Sequence, residues 1–525
     1  MVAQTLERPS QSRTSQSTKI LDVVIIGSGF AGLCMGIRLK QAGNHSFLIL
    51  EKGNGIGGTW RDNDYPGAAC DVQSHLYSYS FAPKSDWSRL FGPQKEILNY
   101  MNDCADKFGL RPHILLNQEV DGAFFDERTG TWEITVADGE KFRARALVGG
   151  TGGLSRPALP DIPGIEAFQG VKFHSARWDH SYDLTGKTVA VIGTGASAIQ
   201  IVPAIAPKVG RLELFQRTAP WILPKPDAAI GGNVRGIFRF LPPLRWLFRK
   251  AIYWLNELGV IAFAINPKLM KIFEKFAKGF IVKSVNDPVL QTKLTPNYTI
   301  GCKRILLSND YYPALNRENV HLVTEGIREI KKDSILTKDG KEHKVDAIIF
   351  ATGFQAAEAV SPFEIRGKNG QLLSDAWKEA AEAYLGTTIA GFPNFFMIVG
   401  PNTGLGHSSM ILMIESQAQY TLQCIRSLLK KDIKYLDVRK EVQDKYNSEI
   451  QERLGRSVWL TGGCVSWYNT SSGRNTTLWP GFTFEFKAKT FFLRPSDYEF
   501  VRMDGKEEKI SLGSRVSMAL NAALG

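Results

Sequence analysis

Two stretches of this chain share one three-part pattern, and that repetition restricts the available folds more than any other feature. LDVVIIGSGFAGLCMGIRLKQAG (21–43) and KTVAVIGTGASAIQIVPAIAPKVG (187–210) each run from an unbroken apolar segment through a glycine-rich turn into helix-spaced apolar residues. A strand whose apolar run does not alternate is buried on both faces, as in a parallel sheet covered by helices. Each stretch therefore opens a separate doubly wound unit. The expected class is α/β, with two Rossmann-like dinucleotide-binding domains and a helical insertion.

The length allows this. At about 100–200 residues per domain, 525 residues make roughly three structural units. With 43% hydrophobic and 22% charged residues, the composition excludes collagen, wholesale disorder and small disulfide scaffolds. Residues 1–19 are polar, lack the apolar core of a secretory signal and read as a disordered tail. The first unit is expected to cover 20–154 and 355–525, and the second 165–227 and 301–354. They are joined by the proline-rich SRPALPDIPG at 155–164 and interrupted by a basic helical insertion at 228–300.

That insertion carries eleven basic residues against three acidic ones, in a chain of net charge +12. Ile237, Leu241, Leu244 and Phe248 recur at helical spacing with Arg235, Arg239, Arg245 and Arg249 between them. The favoured reading is a helical subdomain packed on its own apolar face with solvated cations. A weak membrane-surface association is the alternative. Nucleic acid is not expected as a partner, because no binding motif accompanies the charge. The most apolar run, 251–265, is too short to span a bilayer. Cys34, Cys70, Cys104, Cys302, Cys424 and Cys464 show no C-x-x-C pair, so no disulfide and no metal site are expected, and a reducing, cytoplasmic location is the simplest reading.

In the first motif Gly27, Gly29 and Gly32 let backbone N–H groups approach a pyrophosphate, and Glu51, ending the next strand, can accept ribose hydroxyls. In the second, Gly193, Thr194, Gly195, Ser197 and Ala198 form GTGASA. The strand that follows ends in Gln216 and Arg217 rather than an acid, which favours a ribose 2′-phosphate and hence NADPH. Two unlike dinucleotide sites imply a nicotinamide donor and a bound flavin, FAD. Disulfide reduction is disfavoured, since GGTWRDNDYPGAACD (57–71) holds one cysteine and not a redox pair.

FQGVKFHSARWD, 168–179, then places Phe168, Gly170, His174, Trp178 and Asp179 at every fixed position of F-x-G-x-x-x-H-x-x-x-W-[PD]. In this the chain resembles the type I Baeyer–Villiger monooxygenases, class B flavoprotein monooxygenases. GGTW, with Gly58, Thr59 and Trp60, YPGAACD, CKR at 302–304, ATGF at 351–354 and GPNTGLGHSS at 400–409 extend the resemblance over about 20–500. It implies oxidation of ketones to esters or lactones by NADPH and O2, through a flavin peroxide and a tetrahedral adduct. Oxygenation of thioethers or amines is the competing chemistry. The resemblance further implies that Arg304 is the active-site arginine and Asp71 its carboxylate partner. Lys303, Arg217 and Thr218 would contact the 2′-phosphate, and Trp467 would lie near the nicotinamide ribose. His174 is expected in an interdomain hydrogen-bonding or hinge role and Trp178 in packing.

Overall fold

The computed structural model describes residues 19–43, 45–355, 362–430, 432–470 and 472–508. All but Lys19 of the expected tail, and residues 356–361 and 509–525 of the stretch 355–525, lie outside the described residues.

The strand Leu21–Ile26 is the centre of the first sheet. Val23, Val24 and Ile25 are wholly buried, as a strand covered on both faces must be. It pairs in parallel with Phe47–Glu51 on one side and Lys141–Gly149 on the other. Ile114–Leu116 and Phe395–Met397 extend the parallel array. The strands Val120–Asp126 and Thr131–Val136 form an antiparallel ribbon on it. The chain thus returns to its first sheet twice, with Glu364–Arg366 beside Val120–Asp126 and with Phe395–Met397. Helix Phe30–Ala42 covers one face and the long helix Met410–Leu428 lies against that helix.

A second sheet is wholly parallel. Its strands run in the spatial order Val320–Val323, Arg211–Phe215, Thr188–Ile192, Ala347–Phe350 and Val171–His174. Helix Ala198–Ile205 follows the central strand Thr188–Ile192. Between Arg211–Phe215 and Val320–Val323 the chain makes its long helical excursion, including Gly232–Phe240, Pro242–Glu257 and Met270–Ser284. No helix among the described residues is long and apolar enough to cross a membrane.

Two seams tie the sheets together. Pro157 bridges Phe354, and Ala158 N–H donates to the Gly353 carbonyl, so the outgoing and returning connections run side by side. Elsewhere helix Ala198–Ile205 meets the loop at 65–69. Tyr65 Oη donates to Gln200 Oε1 at 3.0 Å, and Gln200 Nε2 donates to the Ala69 carbonyl at 2.9 Å. Gly67 lies there at φ +84°, and a Cβ on it would stand 2.7 Å from the Gln200 carbonyl oxygen.

The insertion differs from a subdomain packed on its own apolar stripe. Phe238 and Ile252 are buried, but Ile237, Leu241 and Leu244 are exposed. The apolar residues around these helices exceed what one inner face can cover.

Gly67→Ala adds both the positive-φ penalty and the clash with helix Ala198–Ile205. It should lower stability by about 1–3 kcal/mol, measured by thermal or denaturant unfolding of the holoenzyme.

Candidate active site

The glycines of the first motif are required by close approaches. Gly27 turns at φ +95°, and a Cβ there would come within 2.8 Å of the Gly150 carbonyl oxygen; one on Gly32 would stand 1.8 Å from the Gly27 carbonyl oxygen. Gly58 has φ +50°, and a Cβ on it would be 3.1 Å from Gly29 Cα. The GGTW loop is therefore laid over the GSGFAG turn, with no side chain between them. That bare backbone at the start of helix Phe30–Ala42 is a cradle for a pyrophosphate, and the residues present fit FAD. Thr59 and Trp60 open a short helix beyond the cradle, and Trp60 Nε1 donates to Tyr77 Oη at 3.1 Å.

Glu51 is buried at the end of its strand. It accepts from Ser28 N–H at 2.9 Å, Ser28 Oγ at 2.7 Å, Gly53 N–H at 2.8 Å and Arg61 Nη1 at 2.8 Å. Burial opposes its charge, but the bonds from Arg61 and Ser28 outweigh this and hold the carboxyl below its usual range. A carboxylate offers about four lone-pair sites. A ribose hydroxyl at Glu51 must therefore displace or share one of these donors.

The second cradle is more open. Gly193, at φ +109°, would place a Cβ 2.4 Å from the Ala351 carbonyl oxygen, whereas Gly195 faces free space. Ser197 precedes the helix and Ala198 is buried beneath it. Thr194 Oγ1 donates to the Thr218 carbonyl at 3.0 Å, joining the turn to the end of the next strand. Arg217 is exposed there, close enough to Lys303 that its charge adds to burial in lowering the lysine pKa. Neither has an ion-pair partner among the described residues. Two adjacent cations without a counter-charge fit a 2′-phosphate.

Arg304 and Asp71 are brought together as a pair, Nε to Oδ2 2.6 Å. Arg304 Nη1 also donates to the Leu405 carbonyl at 3.4 Å. Asp71 raises the guanidinium pKa further, with burial opposing. Burial works against the Asp71 carboxylate as well, but the charge and hydrogen bond of Arg304 prevail and lower its pKa. A depressed carboxylate stabilises the fold above its unfolded pKa of about 3.9 and loses that contribution only as pH falls through the lower folded value. The pair is complete at neutral pH.

Sequence reasoning missed one neighbour of this pair and one residue that ties the adjoining loops together. Tyr468 is buried beside Arg304, its phenol pKa raised by burial and opposed by the guanidinium. Asn475 is fully buried: its Oδ1 accepts from Thr477 and Leu478 N–H groups, and its carbonyl accepts from Asn402 Nδ2 at 2.8 Å. It thereby sews the 400–409 loop to the 475–479 segment. Trp467 is 54% exposed and stands against Tyr468 at 4.6 Å between ring centroids. The tyrosine next to the singled-out tryptophan was the available signal.

The expectation of six unpaired cysteines is corrected. Cys302 and Cys464 form a disulfide across 162 residues, and Cys34, Cys70, Cys104 and Cys424 are free and buried. Local spacing cannot reveal a pair made by the meeting of two distant loops. The bond fastens the Trp467–Tyr468 loop to the segment carrying Lys303 and Arg304. Cys70 contributes no redox pair: its thiol is buried and its pKa is pushed up by burial.

The linker fingerprint lies at the seam and away from Arg304's contacts. Phe168 is buried, and a Cβ on Gly170 would meet the Asp346 carbonyl oxygen at 2.4 Å. His174 ends an edge strand with Nδ1 accepting from Ala176 N–H at 3.1 Å, its ring against Phe354 at 5.7 Å. Burial lowers its pKa, which favours the neutral imidazole. Trp178 packs edge-on against Phe173, and Asp179 accepts from Ser181 N–H.

Two dinucleotide cradles meeting at a carboxylate-held arginine define a pyridine-nucleotide-dependent flavoprotein. Residues 24–235 match the family model described as pyridine nucleotide-disulphide oxidoreductase; Cys302 and Cys464 lie outside that match. The chain is 51% identical over 482 residues to a Baeyer–Villiger monooxygenase of Pseudomonas aeruginosa and 49% identical over 481 residues to one of Streptomyces coelicolor. The first match covers 92% of each chain, and the second 91% of this chain and 92% of the relative. Among solved structures, the OTEMO complex with FAD and NADP superposes with a TM-score of 0.82 at 30% identity, over 92% of this chain and 99% of that one. Cyclohexanone monooxygenase from Rhodococcus sp. Phi1 bound to NADP+ does so with a TM-score of 0.83 at 28% identity and the same coverage. The chain belongs to the Baeyer–Villiger monooxygenases, FAD-dependent enzymes that use NADPH and O2.

Arg217→Ala and Lys303→Ala should each raise KM for NADPH roughly tenfold and change KM for NADH little, measured by steady-state kinetics with both nucleotides. Thiol titration of the denatured, unreduced protein should find the four free cysteines rather than all six.

Proposed function

We propose that this enzyme inserts an oxygen atom beside the carbonyl of a small-molecule ketone, giving an ester or lactone, with Arg304 as its catalytic cation. The observation carrying this reading is the Arg304–Asp71 pair, at 2.6 Å, set among the 400–409 loop, Tyr468 and the second cradle. FAD, when bound and reduced by NADPH, supplies the activation of O2. The remaining demands fall on the chain. Attack on a carbonyl concentrates negative charge on oxygen, and a fixed guanidinium in a partly closed site stabilises that charge far better than water does. Arg304 keeps its proton at every working pH and still has N–H groups to donate. Asp71 and the Leu405 carbonyl set its orientation. Tyr468 closes the space beside it.

The same reading gives Gly27, Gly29, Gly32, Glu51, Gly58, Thr59 and Trp60 to FAD. Gly193, Thr194, Gly195, Ser197, Ala198, Arg217, Thr218 and Lys303 go to NADPH, and Trp467 to its ribose. It divides the chain at 20–154 and 355–525 for the flavin unit, and 165–227 and 301–354 for the nicotinamide unit. His174 serves the seam, because its ring packs on Phe354, which bridges Pro157. A cytoplasmic location belongs to this reading and is supported by the four free buried cysteines; the Cys302–Cys464 bond counts against it.

Arg304→Ala should reduce ester formation by roughly 10²–10³-fold, while NADPH still reduces the flavin in anaerobic stopped-flow mixing. Product analysis on a panel of linear, cyclic and aryl ketones is the readout. Ester formation at the unaltered rate would refute the assignment.

A further inference from the structure

The helical insertion has two faces with different partners. Its inner side is accounted for. In helix Pro242–Glu257, Ile252 and Glu257 are buried; Glu257 accepts from Thr483 N–H at 2.8 Å and Thr483 Oγ1 at 2.6 Å, and Arg249 donates to the His75 carbonyl. In helix Met270–Ser284, Met270, Ala277 and Ile281 face the protein. A folded helix needs no second apolar stripe for this packing.

Both helices nevertheless carry one. Of the 28 large apolar side chains exposed among the described residues, 17 lie between Val234 and Val289. On Pro242–Glu257 and just beyond it, Leu247, Trp254, Leu255 and Leu258 recur at helical spacing and are 55–68% exposed. On Met270–Ser284, Ile272 and Phe276 are 67% and 60% exposed. Single exposed apolar residues are ordinary, but a concentration like this marks an interaction surface.

The exposed charge around these rows is overwhelmingly positive. Arg235, Arg239, Lys250, Lys268, Lys271, Lys275, Lys278 and Lys283 are all exposed, and none has an ion-pair partner among the described residues. Of the three acids of the region, Glu257 is held by Thr483, Glu274 accepts from Ile300 N–H at 3.2 Å, and the exposed Asp287 caps helix Pro288–Leu294, accepting from Val289 N–H at 2.9 Å. Lys250 sits over the rings of Trp246 and Tyr253 at 5.4 and 5.7 Å, a cation borne on an aromatic surface.

We propose that the outer faces of these helices dock the enzyme on the surface of an anionic phospholipid bilayer. Such a surface satisfies both halves of the pattern, taking leucine, tryptophan and phenylalanine among its acyl chains and lysine and arginine at its phosphates. A second copy of this chain would bring like charges face to face. A nucleic acid would meet the cations and leave the apolar rows in water. Because no described helix can span a bilayer, the insertion lies on it. The docking rests on the outer faces alone and stands independently of the role given to Arg304.

The test is co-sedimentation of the full-length holoenzyme with vesicles of phosphatidylcholine, with and without phosphatidylglycerol. Partitioning onto the phosphatidylglycerol vesicles at low ionic strength should exceed that onto pure phosphatidylcholine by roughly tenfold or more and fall steeply with added salt. The triple variant Trp254→Ser, Leu255→Ser, Leu258→Ser keeps every charge and should lose binding at least tenfold. The variant Lys271→Ala, Lys275→Ala, Lys278→Ala keeps every apolar contact and should lose the preference for phosphatidylglycerol. Flavin content and thermal unfolding confirm that both remain folded. Absence of binding to phosphatidylglycerol vesicles at low ionic strength overturns the proposal. So does a dimer in sedimentation velocity that the serine variant splits, which would make a second copy the occupant.

Discussion

The ion pair between Arg304 and Asp71 joins residues 233 apart in the chain, and the site depends on that union. A guanidinium stabilises developing charge well only if it is fixed in direction, since a mobile cation would be solvated and its field spent on water. Asp71 supplies the counter-charge from the loop after GGTW, and the Leu405 carbonyl supplies a second contact from the 400–409 loop. The arginine itself follows the helical excursion that interrupts the second sheet. Forming the pair therefore requires both dinucleotide folds to be complete and docked.

That docking is made by small residues and buried polar contacts. Gly67 lets the loop before Asp71 settle against helix Ala198–Ile205, where Tyr65 and Gln200 complete the seam. On the far side the disulfide between Cys302 and Cys464 and the bonds of Asn475 tie the Trp467 loop to the arginine segment and to the 400–409 loop. Restraint on Arg304 thus arrives from several stretches of sequence, none of which carries the chemistry alone.

The insertion extends the same principle outward. Its inner side supports the site, since a Cβ on Gly301 would meet Phe263 and Met270 at 3.0 and 3.1 Å, close beside Cys302. Its outer side leaves apolar rows and unpaired cations in solvent. Alternation of arginine with apolar residues was visible in the sequence, but not which apolar residues the protein covers. Ile237, Leu241 and Leu244 look like core in the pattern and are surface in the fold.

Strand, glycine turn, helix and terminal acid are local devices, because a tight turn and a buried parallel strand constrain residues within a few positions of one another. For that reason the two strand–glycine turn–helix units and the linker fingerprint could be read from the chain alone, and family resemblance pointed to Arg304 and Asp71, which the fold joins as an ion pair. The Cys302–Cys464 bond, Tyr468 beside the guanidinium and the contact of Asn475 with Asn402 could not. Each is a meeting of segments tens to hundreds of residues apart, and such meetings are decided by how whole sheets and helices pack, a quantity to which no short window of sequence has access.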